Sequence, residues 1–337
     1  MSISPDVMKG TIIKTRVRLA RNLKGYPFRI NDVSTCKEVI KKVNRALVKC
    51  GTFNLFYTAN LSDAKLEAMR EKHLISANLI ENKERGAALI SQDESISIMV
   101  NEEDVIREQC FMKGLRLFEA YKRLDKIDDE IIKNLDVAYS NKLGFLTACP
   151  TNVGTGLRAS VMLFLPALTE SGKLPMLEEQ MASLGLTIRG LYGEGTAAEG
   201  YVYQVSNEVT LGSSEYDILE VVEDAVSKIC TLERDESERL FAKNQIRTMD
   251  KARKAFGILT NAVVLSYSEF LKHVAEVKLG AMLGMIDIED IEKLDDLTVS
   301  VRPSVLSEEF GKPLSPMDRD LVRAEVVGKQ LIKLKRY

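Results

Sequence analysis

Tryptophan is missing from this chain of 337 residues, and only two histidines occur, His73 and His273. Neither has a His or Cys neighbour at ligand spacing. Both read as ordinary surface or satisfied residues, and a chemistry built on imidazole is disfavoured. A general base is then expected to be a carboxylate. Five cysteines (Cys36, Cys50, Cys110, Cys149 and Cys230) are odd in number and form no C-x-x-C pair. That usage argues against a disulfide framework or a zinc site and for a reducing cytosol. Neither sign of charge dominates: 47 basic residues face 49 acidic ones, so net charge predicts neither nucleic-acid nor membrane binding. No stretch approaches the roughly 18 apolar residues of a membrane span. Residues 1–15 lack the apolar run and small-residue cleavage site of a signal peptide. The expected location is therefore cytoplasmic. No G-x-x-x-x-G-K-[ST] loop is present. The glycine pairs Gly154/Gly156 and Gly193/Gly195 lack the βαβ surroundings and downstream ribose acid of a dinucleotide fold.

What the chain does have is a local positive field near its start. Between Asp6 and Asp32 lie seven basic residues and no acid. The alternation of Thr11 to Arg18 predicts a strand with Arg16 and Arg18 on one face. Two neighbouring guanidiniums repel unless an anion lies between them; equally, such a strand can be a solvated basic edge. A second stretch, residues 144–160, leads from an apolar run to Cys149-Pro150, a polar glycine-bearing turn, and Arg158. Such a turn offers backbone N–H groups and a guanidinium to an anion, although most polar glycine turns are only turns. A third, Asn101-Glu102-Glu103-Asp104-Val105-Ile106-Arg107, is either a carboxylate-bearing loop at a strand end or the acidic first turn of a helix continuing to about Leu124. A fourth, Ile188 to Gly195, is a glycine-spaced loop with Arg189 and Glu194.

Between these stretches, Ser34 is expected to cap a helix through Cys50, and Ser62 another through about Lys72. Residues 86–91 and 95–100 read as paired strands, 160–165 as a buried strand, and 200–205 with 209–211 as a hairpin turning at Ser206-Asn207. Ser213 or Ser214 then caps an amphipathic helix with Ile218, Val221, Val222, Ala225 and Ile229 on its apolar face. Connections too short for crossovers make the sheet mainly antiparallel, so residues 1–234 form an α+β domain flanked by helices. Residues 235–337 keep helical spacing apart from a proline- and glycine-bearing loop at 301–317, and form a second, all-α domain.

Arg16, Arg18, Arg107, Arg158 and Arg189 all fall at strand ends or in loops, where side chains can converge. Together they suit a nucleoside triphosphate bound without a lysine loop. Glu103 and Glu194 stand on different loops opposite them. A guanidine acceptor is protonated at neutral pH, and two carboxylates gripping it fix its plane and take its proton as the new bond forms. Glutamate is a weak base against an acceptor with pKa above ~12, so proton transfer must be coupled to phosphoryl movement. Cys149 is either a buried structural cysteine or a partial thiolate beside cationic groups.

The motifs Thr15-Arg16-Val17-Arg18 with Gly25-Tyr26-Pro27-Phe28, Asn101-Glu102-Glu103-Asp104, Cys149-Pro150-Thr151-Asn152 with Gly154 to Ser160, and Arg189-Gly190 with Gly193-Glu194 occur in that order. This set resembles the catalytic domain of phosphagen kinases (creatine and arginine kinases) over about residues 11–232. The resemblance implies that Arg16, Arg18, Arg107, Arg158 and Arg189 bind ATP phosphates. It also implies that Glu103 is the catalytic carboxylate, that Glu194 and Cys149 hold the guanidine, and that Mg2+ bridges the nucleotide phosphates mostly through water. That family usually has His after N-E-E-D where Val105 stands here, which bears on rate or loop ordering.

Two features resemble the bacterial McsB-type protein-arginine kinases more closely. The chain begins almost at the first motif, leaving no room for the N-terminal helical domain that encloses a small substrate, and an open site suits a protein side chain. The element Arg319-Asp320-Leu321-Val322-Arg323-Ala324 is similar to the phosphoarginine-binding R-D-x-x-R-A of that branch. Arg319 and Arg323, four apart, share a helical face and can clamp a phosphate; the same pattern also occurs as a solvated salt-bridged turn. Tyr192 and Gly195 agree with this branch as well. The resemblance implies an ATP-dependent kinase for arginine side chains in bacterial protein quality control and the stress response, including heat-shock regulation. It further implies a zinc-finger activator, Clp protease machinery and a homodimer through the helical domain. Two other readings are a phosphagen-type kinase for a small free guanidine and a non-catalytic phosphoarginine-binding adaptor.

Overall fold

The computed structural model describes residues 9–190 and 199–335. In chain order the first half comprises β1 (Ile12–Arg21), α1 (Val33–Ala46), β2 (Phe53–Tyr57), α2 (Asp63–Glu71), α3 (Ala77–Glu81), β3 (Ala87–Ser91), β4 (Ile96–Val100), β5 (Ile106–Lys113), α4 (Leu117–Asn134), β6 (Tyr139–Ser140) and β7 (Gly144–Phe145). There follow β8 (Leu157–Phe164), α5 (Pro166–Glu170), α6 (Leu174–Ser183), β9 (Leu186–Gly190), β10 (Val202–Asn207) and α7 (Glu215–Phe241). The rest is helical: α8 (Gln245–Asn261), α9 (Tyr267–Met282), α10 (Glu292–Ser300), α11 (Pro303–Glu309) and α12 (Pro316–Leu334).

Eight strands form one sheet in the order β2-β3-β4-β5-β1-β8-β10-β9, every neighbouring pair antiparallel. The expected α+β class and antiparallel sheet are therefore what is found. Strand period divides the sheet's two faces. Val17, Leu19, Cys110, Leu157, Ala159, Val161 and Val205 point to one side, into the core packed by α1, α4 and α7. The opposite face is covered in two places. Helix α2 and Ile75 and Leu79 pack on Ala88, Ile90 and Met99 at one edge, and α9 packs on Phe164 toward the other. Between these covers the sheet is polar.

Several expected boundaries move, for physical reasons. Helix α1 is capped by Asp32, whose carboxylate accepts from Thr35 N at 2.7 Å, so Ser34 lies inside the helix. Ser62 caps α2 as expected. Residues 101–107 do not start a helix. They form a tight turn between β4 and β5, with Asn101 in the left-handed region (φ 61°) that asparagine tolerates. The hairpin expected at 200–211 is a single strand, β10, because the Asn207 side chain takes over Ala159 N, Leu157 O and Val209 O and turns the chain away. Ile188 to Gly190 belong to strand β9, while Gly193, Glu194 and Gly195 lie outside the described residues. In α7, Val221 is exposed rather than core.

The expected loop at 301–317 contains α11, with Pro303 in its first turn, where a missing N–H costs nothing. Its free N–H groups are met from α2: the Glu71 carboxylate accepts from Ser304 N at 2.8 Å and Val305 N at 3.0 Å. Helix α7 runs unbroken through residues 234–235, so the expected domain border falls inside a helix.

Candidate active site

Register alone assembles the arginines. Arg18 stands directly opposite Arg158 on β8 and Gln109 on β5, Arg16 opposite Ser160, and Ala20 opposite Arg107. Gln204 pairs with Met162 on one side and Arg189 on the other. All five predicted arginines thus project from the same, polar face of the sheet. Arg16 donates to Gln204 Oε1 at 2.8 Å and to Ser160 Oγ at 3.4 Å. The Nε atoms of Arg18 and Arg158 are buried without any hydrogen-bond partner. Burial, then the Arg16, Arg107 and Arg158 charges, push the Arg18 guanidinium well below its usual range. Like charges held this closely call for an anion between them.

A cleft of about 170 Å³ opens beside them, lined by Arg18, Glu102, Glu103, Asp104, Arg107, Cys149, Thr151, Asn152 and Arg158. Five predicted site residues from three separate stretches, Arg18, Glu103, Arg107, Cys149 and Arg158, meet here. Glu103 is exposed at the cleft mouth. Burial and then the neighbouring Asp104 and Glu102 charges raise its carboxyl above the usual range, against the pull of Arg107 and Arg158. Cys149 Sγ lies 3.0 Å from the Thr151 hydroxyl. Arg189, at the outer edge of the sheet, is not among the cleft residues; its side chain is 72 % exposed and lies 3.6 Å from Glu208. Glu194 lies outside the described residues.

Groups not singled out by the sequence hold the loops in place. Buried Glu102 pairs with Arg107 Nη1 at 2.8 Å, accepts from Ser76 Oγ at 2.5 Å, and accepts Glu103 N at 2.8 Å. Asn22 donates to Asp104 at 2.7 Å and to Leu146 O at 3.1 Å, and accepts Val105 N at 2.8 Å. Asp104 also accepts Ala148 N at 2.6 Å, which ties the acidic turn to the cysteine loop. Thr210 braces that loop by donating to Thr151 O and Val153 O at 2.9 and 2.8 Å. Val105, at the position where the resemblance implies His, is 1 % exposed in the hydrophobic core. A single polar residue outside the motifs carries no periodic signature, so nothing in the sequence marked Asn22 or Thr210.

A second hollow, about 280 Å³, lies on the same sheet face beyond Arg16. Phe111, Met162 and Phe164 form its floor, and Leu271, Val274 and Lys278 of α9 form part of its wall. His73 lines it too, and burial pushes its imidazole down to about 2, so it is neutral rather than an ordinary surface residue. As for a divalent cation, no cluster of three or more His, Cys, Asp or Glu suited to a metal occurs among the described residues.

In the helical region, Arg319 and Arg323 do lie one turn apart on α12. The Arg323 guanidinium, however, is 1 % exposed and is taken up by Val301 O and Leu265 O, each at 2.9 Å, and by Asp320. It also stacks over the Tyr267 ring. Ala324 is packed in the core, and Arg319 is half-buried at the helix start.

Residues 35–236 match the family model described as ATP:guanido phosphotransferase, C-terminal catalytic domain, and residues 245–337 match the protein-arginine kinase McsB C-terminal domain. The protein-arginine kinase of Caldanaerobacter subterraneus subsp. tengcongensis is 43% identical over 331 residues, spanning 96% of this chain and 98% of that one. The chain belongs to the protein-arginine kinase family. The Clostridium kluyveri protein-arginine kinase is 44% identical over 328 residues, with 96% and 95% covered. Among solved structures, the substrate-free duplicated taurocyamine kinase from Schistosoma mansoni superposes with TM-score 0.60 at 29% identity over 69% of this chain and 35% of that one. Lombricine kinase superposes with TM-score 0.58 at 25% identity over 66% of each chain.

This protein-arginine kinase is thus an ATP-dependent enzyme of the guanidino phosphotransferase class. The near full-length matches favour neither a small-guanidine kinase nor a non-catalytic adaptor. The strand that carries Arg16 and Arg18 lies upstream of the first matched segment, yet β1 sits in the middle of the sheet between β5 and β8.

Proposed function

We propose that Arg16, Arg18, Arg107 and Arg158 cradle the ATP phosphates, with Arg189 at the outer edge, while Glu103, Cys149 and Glu194 hold the acceptor guanidine. The observation that carries this reading is the opposed pair Arg18 and Arg158, each with a buried, unpartnered Nε, in one cleft with Glu103 and Cys149. Glu103 accepts the proton released as a guanidine nitrogen bonds to the γ-phosphorus. The bond from that phosphorus to the bridging oxygen breaks, and ADP leaves with the electron pair. The arginines disperse the charge on the moving phosphoryl group and on the leaving ADP. Mg2+ bound to the nucleotide supplies further neutralisation there. From Arg18 to Lys14 is four residues of strand, ~13 Å, so the nucleoside runs along β1 and its base occupies the hollow under α9. Incubation with ATP, Mg2+ and an unfolded protein, followed by mass analysis for acid-labile phosphate on arginine, tests the assignment. Wild-type transfer that survives intact in Glu103→Gln would overturn it.

The finer setting belongs to the same proposal. The catalytic region and the helical region divide near the expected border at 234–235, at Ala242–Asn244 between α7 and α8. On α12 we keep Arg319 and Asp320 as the contacts to phosphoarginine, with Arg323 and Ala324 as the packed base beneath them. Five free cysteines suit a reducing cytoplasm. Exposed Ile246, Ile258, Val263 and Val264 in the helical region suit a homodimer. We also propose a role in protein quality control and the stress response, with a zinc-finger activator and Clp protease as partners; the family likeness of residues 245–337 supports it.

A further inference from the structure

Lys14 lies two residues before Arg16 on the same face of β1 and lines the hollow beneath α9. Several charged groups around that hollow are committed to partners. Lys278 is held by both oxygens of Asp295 at 2.6 and 2.8 Å. Lys113 is held by Asp296 at 2.7 Å. Asp93 accepts from Ser91 and Ser95, and Glu94 pairs with Lys72 at 3.4 Å. The Lys14 amine makes no hydrogen bond or ion pair among the described residues; its Nζ stands 5.1 Å from the centre of the Phe111 ring. Burial first, and then the Arg16 and Arg302 charges, push it down to about 7, as fits an amine removed from water without a matched counter-ion.

The spacing assigns this amine a part of the nucleotide. Arg16 and Arg18 meet the phosphates, so a group at the far end of the strand meets the base. The apolar floor of Phe111, Met162 and Phe164 suits the flat face of a purine. Two facing acceptors hold this group in its ammonium form, and an ammonium only donates hydrogen bonds. Adenine offers an acceptor at N7 but a donor amino group at its 6-position, whereas guanine offers acceptors at both N7 and O6. A donor at that edge therefore gains two partners from guanine, but one partner and an opposing donor from adenine.

We infer that Lys14 reads the 6-position edge of the purine and that this kinase takes GTP as a phosphoryl donor beside ATP. The inference rests on the nucleoside lying in this hollow, as proposed above. The test compares kcat/KM for ATP, GTP and ITP, with one protein substrate, in the wild type and in Lys14→Met, Lys14→Arg and Val274→Trp. The wild type transfers phosphate from all three nucleotides, and ITP, which keeps O6, follows GTP. Lys14→Met lowers the GTP-to-ATP ratio of kcat/KM by about tenfold or more, the size of one base-edge contact, and Lys14→Arg restores most of it. A wild type that does not use GTP, or a ratio unchanged in Lys14→Met, overturns the inference. Val274→Trp fills the hollow and impairs both nucleotides. If it leaves both untouched in a folded protein, the base does not lie there, and the placement falls along with the inference. If it impairs both while Lys14→Met leaves the ratio unchanged, only the role of Lys14 falls.

Discussion

Asn22 holds Asp104 at 2.7 Å, and by that contact the end of the strand carrying Arg16 and Arg18 is tied to the turn carrying Glu103. The same amide accepts the Val105 N–H and donates to Leu146 O, so it joins three chain segments that meet only after folding. Asn22→Ala leaves Asp104, a backbone N–H and a carbonyl short of partners in a buried place. The expected cost is ~1–3 kcal/mol of stability, read from denaturant midpoints. kcat should fall further than nucleotide affinity, since the arginines stay in place. Equal losses in both would mean that Asn22 serves the fold alone.

Glu103→Gln is expected to reduce kcat by ~10²–10⁴-fold while nucleotide binding persists. The wild-type carboxyl is raised above the ordinary value of 4.5. The ionised, proton-accepting form is therefore lost at a higher pH than for a free glutamate, and the acid limb of kcat/KM lies above 4.5. A pH–rate profile flat through this region would contradict the assignment of Glu103 as base.

Arg18→Gln and Arg158→Gln should each weaken nucleotide binding by about 10–100-fold, the value of a charge-assisted hydrogen bond at roughly tenfold per 1.4 kcal/mol. Each should also raise the thermal midpoint of the nucleotide-free protein. Removing one of two opposed, desolvated cations relieves repulsion that only an anion otherwise relieves. Calorimetry with and without nucleotide reads both effects, and a lowered apo midpoint would argue against the repulsion.

Lys14 makes a separate statement about stability and pH. Its folded value, about 7, is below its ordinary 10.5, so the unfolded chain holds the proton more tightly. The cost of the buried charge is fully present below pH 7 and disappears as pH rises from 7 toward 10.5. Lys14→Met should therefore melt higher than wild type at pH 7, with the gap closing toward pH 10. A gap constant across that range would mean that the amine is solvated.

On α12 the two arginines should separate. Arg323→Ala strands two carbonyls in the core, leaves the partly exposed Asp320 without its partner, and should cost ~1–3 kcal/mol or more, as for buried groups left unsatisfied. Arg319→Ala should stay within ~0.5 kcal/mol of wild type and weaken phosphoarginine binding. Unchanged phosphoarginine affinity in Arg319→Ala would move that site elsewhere.

The sequence by itself determined the class of fold, the mainly antiparallel sheet with a helical C-terminal region, and the family that the chain resembles. Strand alternation, cap residues and four ordered motifs are local patterns, legible before folding. Arg16 and Arg18 shared a face as soon as a strand was recognised, because side chains alternate with period two. Only the tertiary structure decided that Arg158 would face Arg18, because register between strands remote in sequence is set by which faces are buried. The same holds for Val105, which packing buries in the core, and for Arg323, whose spacing suggested a ligand contact but whose guanidinium the core consumes. Asn22, Thr210 and Lys14 acquired their parts in the same way. A polar side chain has no function until packing decides which partners it keeps and which it lacks.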